Sequence, residues 1–160
     1  MVRVRSSIGV ELDVPDDWEF DDDDRPIRLS PRGVDTPVQV SLLNVEARGP
    51  GAPNEKSVVL MINRVAARFA GGGFETPGGD TSDPVNHSVA AASKEEGFAR
   101  AWMNFWPRAA DLADPQTRVF GAGVRQWPDK ALVLTWIGPV SLVEHRVTAR
   151  EIFDGIELSQ

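Results

Sequence analysis

At 160 residues, the chain fits one domain spanning residues 1–160, able to bury roughly two-thirds of its unfolded surface. Hydrophobic residues at 41% and charged residues at 26% exclude wholesale disorder, and the lack of cysteine excludes disulfides, a thiol nucleophile and a thiolate metal site. A formal net charge of −7 argues against binding to a phosphate backbone, so no nucleic-acid partner is expected.

The start of the chain, MVRVRSS, leads into alternating residues instead of a long apolar run. No signal peptide, lipoprotein motif or membrane span is expected, and the cytoplasm is the expected location. Val2 and Val4 alternate with arginines. Ile8, Val10, Leu12 and Val14 alternate with Gly9, Glu11 and Asp13. Both stretches predict half-buried strands with one wet face, the usual state of antiparallel sheets. Pro15 closes the second strand, and Trp18 follows as a lid over the core edge. Residues 16–24 then hold seven of the 24 acids, and the rest of the chain is electrically balanced. Ile27 and Leu29, flanked by Pro26 and Pro31, predict an edge strand at best.

Val38 to Glu46 predicts a firmer strand. After the loop chemistry of residues 48–53, Asn54 can cap a helix running to about Ala70. Val58, Met61, Ile62, Val65 and Phe69 make one apolar stripe on it. Residues 71–84, rich in Gly, Thr, Asp and Pro, read as a mobile loop. Val85 to Ser93 predicts a weak strand, and residues 94–97 a hairpin turn into a strand from Phe98 to Trp106. In that strand Ala99, Ala101, Met103 and Phe105 share one face, and Phe98, Arg100, Trp102, Asn104 and Trp106 the other.

The last forty residues look like the centre of the core. Arg118 to Trp127 and Lys130 to Ile137 predict two strands joined by a tight turn at Pro128-Asp129-Lys130. Gly138-Pro139 is expected to break the second strand. Ser141 to Glu144 offers a capping box for a closing helix that runs toward Leu158, and Thr148 to Glu151 offers a second. Gly155 is a suitable stop. An apolar strand such as Ala131 to Ile137 needs cover on both faces, and the helix over 54–70 is the obvious candidate for one of them. The order of strands, helix, strands, helix favours an α+β fold, an antiparallel sheet flanked by two main helices in an α/β/α sandwich.

This layout resembles the fold shared by photosystem PsbP proteins, the Ran-binding Mog protein, DcrB-related proteins and LpqN-type lipoproteins. The matching pieces are Val14-Pro-Asp-Asp-Trp18 after an opening strand, the central helix 54–70, Leu132-Val-Leu-Thr-Trp136, and Glu151-Ile-Phe-Asp-Gly-Ile156-Glu-Leu-Ser159 at the close. Members of that group differ in task, from photosystem assembly to nuclear transport and chaperoning of secretion effectors. The resemblance implies a binding or adaptor domain that recognises a protein or peptide, with no cofactor; fold alone does not name the partner.

Four features could carry chemistry. The acid run could hold Ca²⁺ or dock a basic partner, but it lacks EF-hand spacing, and adjacent like charges ordinarily form a solvated, repelling loop. No metal is expected. His87 and His145 lack every motif of a triad or a zinc site, and Ser88, adjacent to His87, falls on the opposite strand face. The glycine-rich stretches 71–73, 78–79 and 121–123 open no helix and lack a lysine partner, so they are not phosphate cradles. The fourth is a ledge. Phe98, Arg100, Trp102, Asn104 and Trp106, aligned with Arg125 and Trp127, would make a surface of the residue types enriched at binding hot spots. The plainer account puts the tryptophans under the helices, with the arginines reaching out at the rim. A different class of function, a small hydrolase or lyase using Asp80 and Asp83 with His87 beside the 71–84 loop, remains open as the alternative.

Overall fold

The computed structural model describes residues 1–23, 27–32, 39–45, 54–70, 74–75, 91–95, 97–107, 113–128 and 130–159. The opening alternation becomes an antiparallel hairpin of β1 (Val2–Arg5) and β2 (Val10–Val14), in which Val10, Leu12 and Val14 are buried. Next come β3 (Trp18–Asp21) and β4 (Ile27–Pro31), also antiparallel. Two expectations change here. The acid run is not a loop throughout, because Trp18 and Phe20 turn inward and carry Glu19 and Asp21 outward with the strand. β4 is not an edge, because it lies between β3 and β5 (Gln39–Val45), with Ile27, Leu29 and Pro31 buried.

The helix predicted from Asn54 is α1 (Glu55–Ala70), and the Asn54 carboxamide oxygen accepts the Ser57 N–H at 2.7 Å. The stretch read as a loop after it contains a two-residue strand, β6 (Phe74–Glu75). β7 is shorter than predicted, Ala91–Glu95, and residues 85–90 lie outside the described region. The turn into β8 (Phe98–Pro107) is tighter than predicted, since Glu95 already pairs with Phe98. Gly97 has a φ of +86°, a left-handed conformation that glycine adopts without steric penalty.

β9 (Arg118–Gln126) and β10 (Ala131–Pro139) form the predicted hairpin, closed by Trp127 N–H donating to Lys130 O at 2.8 Å. Gly138-Pro139 does not break β10. Val140 N–H donates to Thr117 O (2.7 Å), a parity that turns the missing N–H of Pro139 away from β9. The described ladder to β5 has by then stopped at Ile137 opposite Gln39, so among the described strands no bond is lost there.

Neither capping box forms. The closing helix, α2 (Val143–Asp154), starts at Leu142 with no side-chain cap, and its first turn is tied by main-chain bonds from His145 and Arg146 to Leu142 O. The helix runs unbroken through Thr148, whose hydroxyl donates back to Glu144 O at 2.9 Å. It stops at Gly155, as the glycine predicts, and beyond it Glu157–Leu158 is a strand, β11, paired with β2.

Among the described residues the result is an α+β fold of antiparallel sheets and two helices. The large sheet runs β3-β4-β5-β10-β9-β8-β6, with β7 also on β8, and a small one runs β1-β2-β11. Alternation along β8, β9 and β10 sends residues to two cores. Ala99, Ala101, Met103, Phe105, Ala122, Val124 and Val133 meet Val58 and Ile62 of α1. Trp102, Leu132, Leu134 and Trp136 meet Ala149, Ile152, Phe153 and Ile156 from α2 and the residue beyond its end, together with β2 and β4. α1 therefore covers one face of β8 and β9, with Val133 of β10 at its margin, and α2 with the small sheet covers the other face. Each fully buried Leu, Ile or Phe contributes about 1.5–3 kcal/mol.

Two contacts dock the helices. Buried Gln126 donates to Ser57 Oγ (2.9 Å) and accepts the Asn54 N–H (3.2 Å), fixing the start of α1 to the sheet. On the other face, a β-carbon at Gly123 would lie 2.6 Å from the Phe153 ring and 2.8 Å from that of Trp102. Gly123→Ala should therefore lower stability by about 1–3 kcal/mol, read as a lower urea midpoint with an unchanged slope. The small sheet has its own tie. Arg3 meets Glu157 at 2.9 Å, Asp13 at 3.3 Å and Gly155 O at 3.0 Å, while Glu157 and Glu11 stand directly opposite each other in register. Arg3→Ala should cost about 1 kcal/mol or less and raise amide exchange at Glu157 to Ser159 more than in the large sheet; the loss should shrink in high salt.

Candidate functional site

The ledge expected from alternation is set by strand register. β8 and β9 pair Arg100 with Arg125, Trp102 with Gly123 and Asn104 with Gly121. Phe98, Arg100, Trp102, Asn104, Arg125 and Trp127 thus lie on the face opposite α1, as the sequence pattern placed them. Trp106 is in β8, opposite Glu75, with its side chain outside the described region.

This face is not an open groove. α2 lies over it, and Trp102 is 1% exposed, Asn104 1%, Arg125 4% and Trp127 6%. The reason is that Gly121 and Gly123 present bare backbone beside Trp102, which lets Phe153 come down between the strands. The Trp102 and Phe153 ring centroids are 5.3 Å apart. The Trp102 indole N–H, cut off from water, donates to the Asn104 carboxamide oxygen at 3.1 Å. The tryptophan predicted to be a surface anchor is a core residue, in line with the plainer account.

Arg125 is the unusual member. Its guanidinium donates to the carbonyl oxygen of Phe153 (3.5 Å), in the last turn of α2, and to that of Ile156, just past its end. It lies 4.2 Å from the Phe98 ring centroid and 5.7 Å from that of Trp127. Burial, with the neighbouring Arg100 charge second, lowers its pKa from the ordinary arginine value to about 10, so it stays charged at neutral pH; Asp154, Glu95 and Glu157 oppose that shift. A cation held against helix-end carbonyls and aromatic faces is a clamp on the C-terminus of α2.

Charge reaches solvent at the rim. Arg100 contacts Asp154 at 3.1 Å and Glu95 at 3.3 Å, with 29% of its side chain exposed. Asp154 also takes Arg150 at 3.2 Å, and Arg150 lies over the Trp102 ring. Phe98 is half-buried beside them. Sequence reading missed Glu95, Arg150 and Asp154. The i,i+4 spacing of Arg150 and Asp154 was a readable signal of a pair, though not of its partner on β8.

The other candidates disperse. Asp22 accepts from the Ser7 N–H (2.8 Å) and from the hydroxyls of Ser7 (2.8 Å) and Ser6 (3.2 Å), and Asp21 accepts the Asp23 N–H at 3.0 Å. Part of the acid run thus braces the β1–β2 turn; Asp24 lies outside the described region. Among the described residues, no three His, Asp or Glu side chains come together as a metal-ligand group. His145 is half-buried, its ring set edge-on to Trp18 at 5.9 Å. Asp80, Asp83 and His87, the residues of the hydrolase reading, lie outside the described region.

The class this defines is an α+β domain whose antiparallel sheet carries a helix on each face, α1 on one and α2 on the other. No helix among the described residues is long and apolar enough to cross a membrane. The chain is similar to cyanobacterial PsbP (CyanoP) from Synechocystis sp. PCC 6803, with a TM-score of 0.65 and 13% identity over 98% of this chain and 91% of that one. It is also similar to LpqN, involved in cell envelope biogenesis of Mycobacterium tuberculosis, with a TM-score of 0.62 and 14% identity over 99% and 90%. A protein of Bacteroides thetaiotaomicron matches at a TM-score of 0.52 and 10% identity, over 98% of this chain and 47% of that one. No family model and no curated protein matches the sequence. The fold is PsbP- and LpqN-like across nearly the whole chain.

The Arg125 clamp makes a pH prediction. Because its native pKa lies below the unfolded value, its burial penalty is fully present below pH 10. Between about pH 10 and the higher pKa of an unfolded arginine, the unfolded chain binds more protons, so this group's contribution to stability rises with pH. The chain has no tyrosine or cysteine to titrate in that window. Comparing urea unfolding of the wild type with Arg125→Met at pH 9 and pH 11.5 should show their stability difference moving in favour of the wild type at the higher pH.

Proposed function

We propose that this chain is a non-enzymatic binding or adaptor domain, chaperone-like in character, that recognises a protein or peptide partner. The observation that carries this reading is the aromatic and arginine layer of β8 and β9, with its rim at Phe98 and Arg100. The Arg125 guanidinium, itself beside the Trp127 ring, lies against the Phe98 ring, and Glu95 and Asp154 hold Arg100 in place. Aromatic and arginine side chains that are held rigid before binding lose little entropy when a partner covers them, which is the property of interface hot spots. The likeness in fold to PsbP and LpqN fits a binding role in general terms. In this reading Trp102, Asn104, Arg125 and Trp127 support the contact surface from within, and Phe98 and Arg100 meet the partner. No cofactor enters it.

The test is quantitative capture from native lysate with Arg100→Glu and Phe98→Ser beside the wild type. Proteins retained by the wild type should fall about tenfold or more with Arg100→Glu, the loss of roughly 1.4 kcal/mol or more typical of a hot-spot side chain. Thermal melting should show the Arg100→Glu variant still folded. Equal retention of the same proteins by the folded variants would move the partner surface elsewhere on the molecule.

A further inference from the structure

We draw no further inference here: the strongest candidate, the shallow cleft on the outer face of α1 between Glu55, Lys56, Val59, Leu60 and Asn63, is an unpartnered apolar face, and nothing in the structure shows what covers it.

Discussion

Phe153 occupies the space that a β-carbon at position 123 would need, and much of the molecule follows from that contact. With α2 this close to the backbone of β9, the Trp102 side chain is shut away from solvent. Trp102 must then satisfy its indole N–H inside the layer, which it does on Asn104, two residues along the same strand face. The same placement brings the Phe153 and Ile156 carbonyls within reach of Arg125, and it carries the chain leaving α2 to the free side of β2, where Glu157 and Leu158 pair. A larger residue at 123 would lift the helix and disturb all of these contacts together, because an interior at crystal-like density has no slack to absorb it.

Arg125 shows how the fold tolerates a buried charge. An apolar residue of similar size often serves stability as well as a buried ion does, so burial of a guanidinium is weak evidence of a stabilising pair. Here the charge faces the negative end of the α2 dipole and the faces of Phe98 and Trp127, with Arg100 the unfavourable neighbour. Arg100 is in turn neutralised outward by Glu95 and Asp154. The pair is therefore graded, with the inner arginine tied to carbonyls and rings and the outer one to carboxylates. That grading fixes where α2 ends and leaves a charged rim.

Alternation carried most of what the sequence revealed. β1, β2, β8 and β10 were legible because every second residue changes character, and α1 because its stripe repeats at three and four. The shared face of Phe98, Arg100, Trp102 and Asn104 with Arg125 was legible for the same reason. Its covering was not, because burial there depends on Phe153, thirty residues further on, meeting glycines that look locally like weak points of a strand. Glu157–Leu158 was hidden because a two-residue strand has no period to detect, and β4 because its prolines mimic an edge. The capping boxes misled, since Ser141 and Thr148 match the pattern while main-chain bonds at Leu142 already hold the helix start.

The distribution of charge then bears on where a partner can approach. β3 ends the large sheet and turns Glu19 and Asp21 outward, with Asp17 and Asp23 exposed beside them. Two copies meeting along this strand would bring rows of carboxylates together, a common way for a terminal strand to discourage edge pairing. Asp22 is withdrawn from that row by its bonds to Ser6 and Ser7, which brace the strand instead. At the far side of the strand order, β8 carries Arg100 with its charge partly exposed and Phe98 only half-buried. Repulsion along one edge and a rigid aromatic and arginine rim near the other give the molecule a polarity that its net charge alone does not describe.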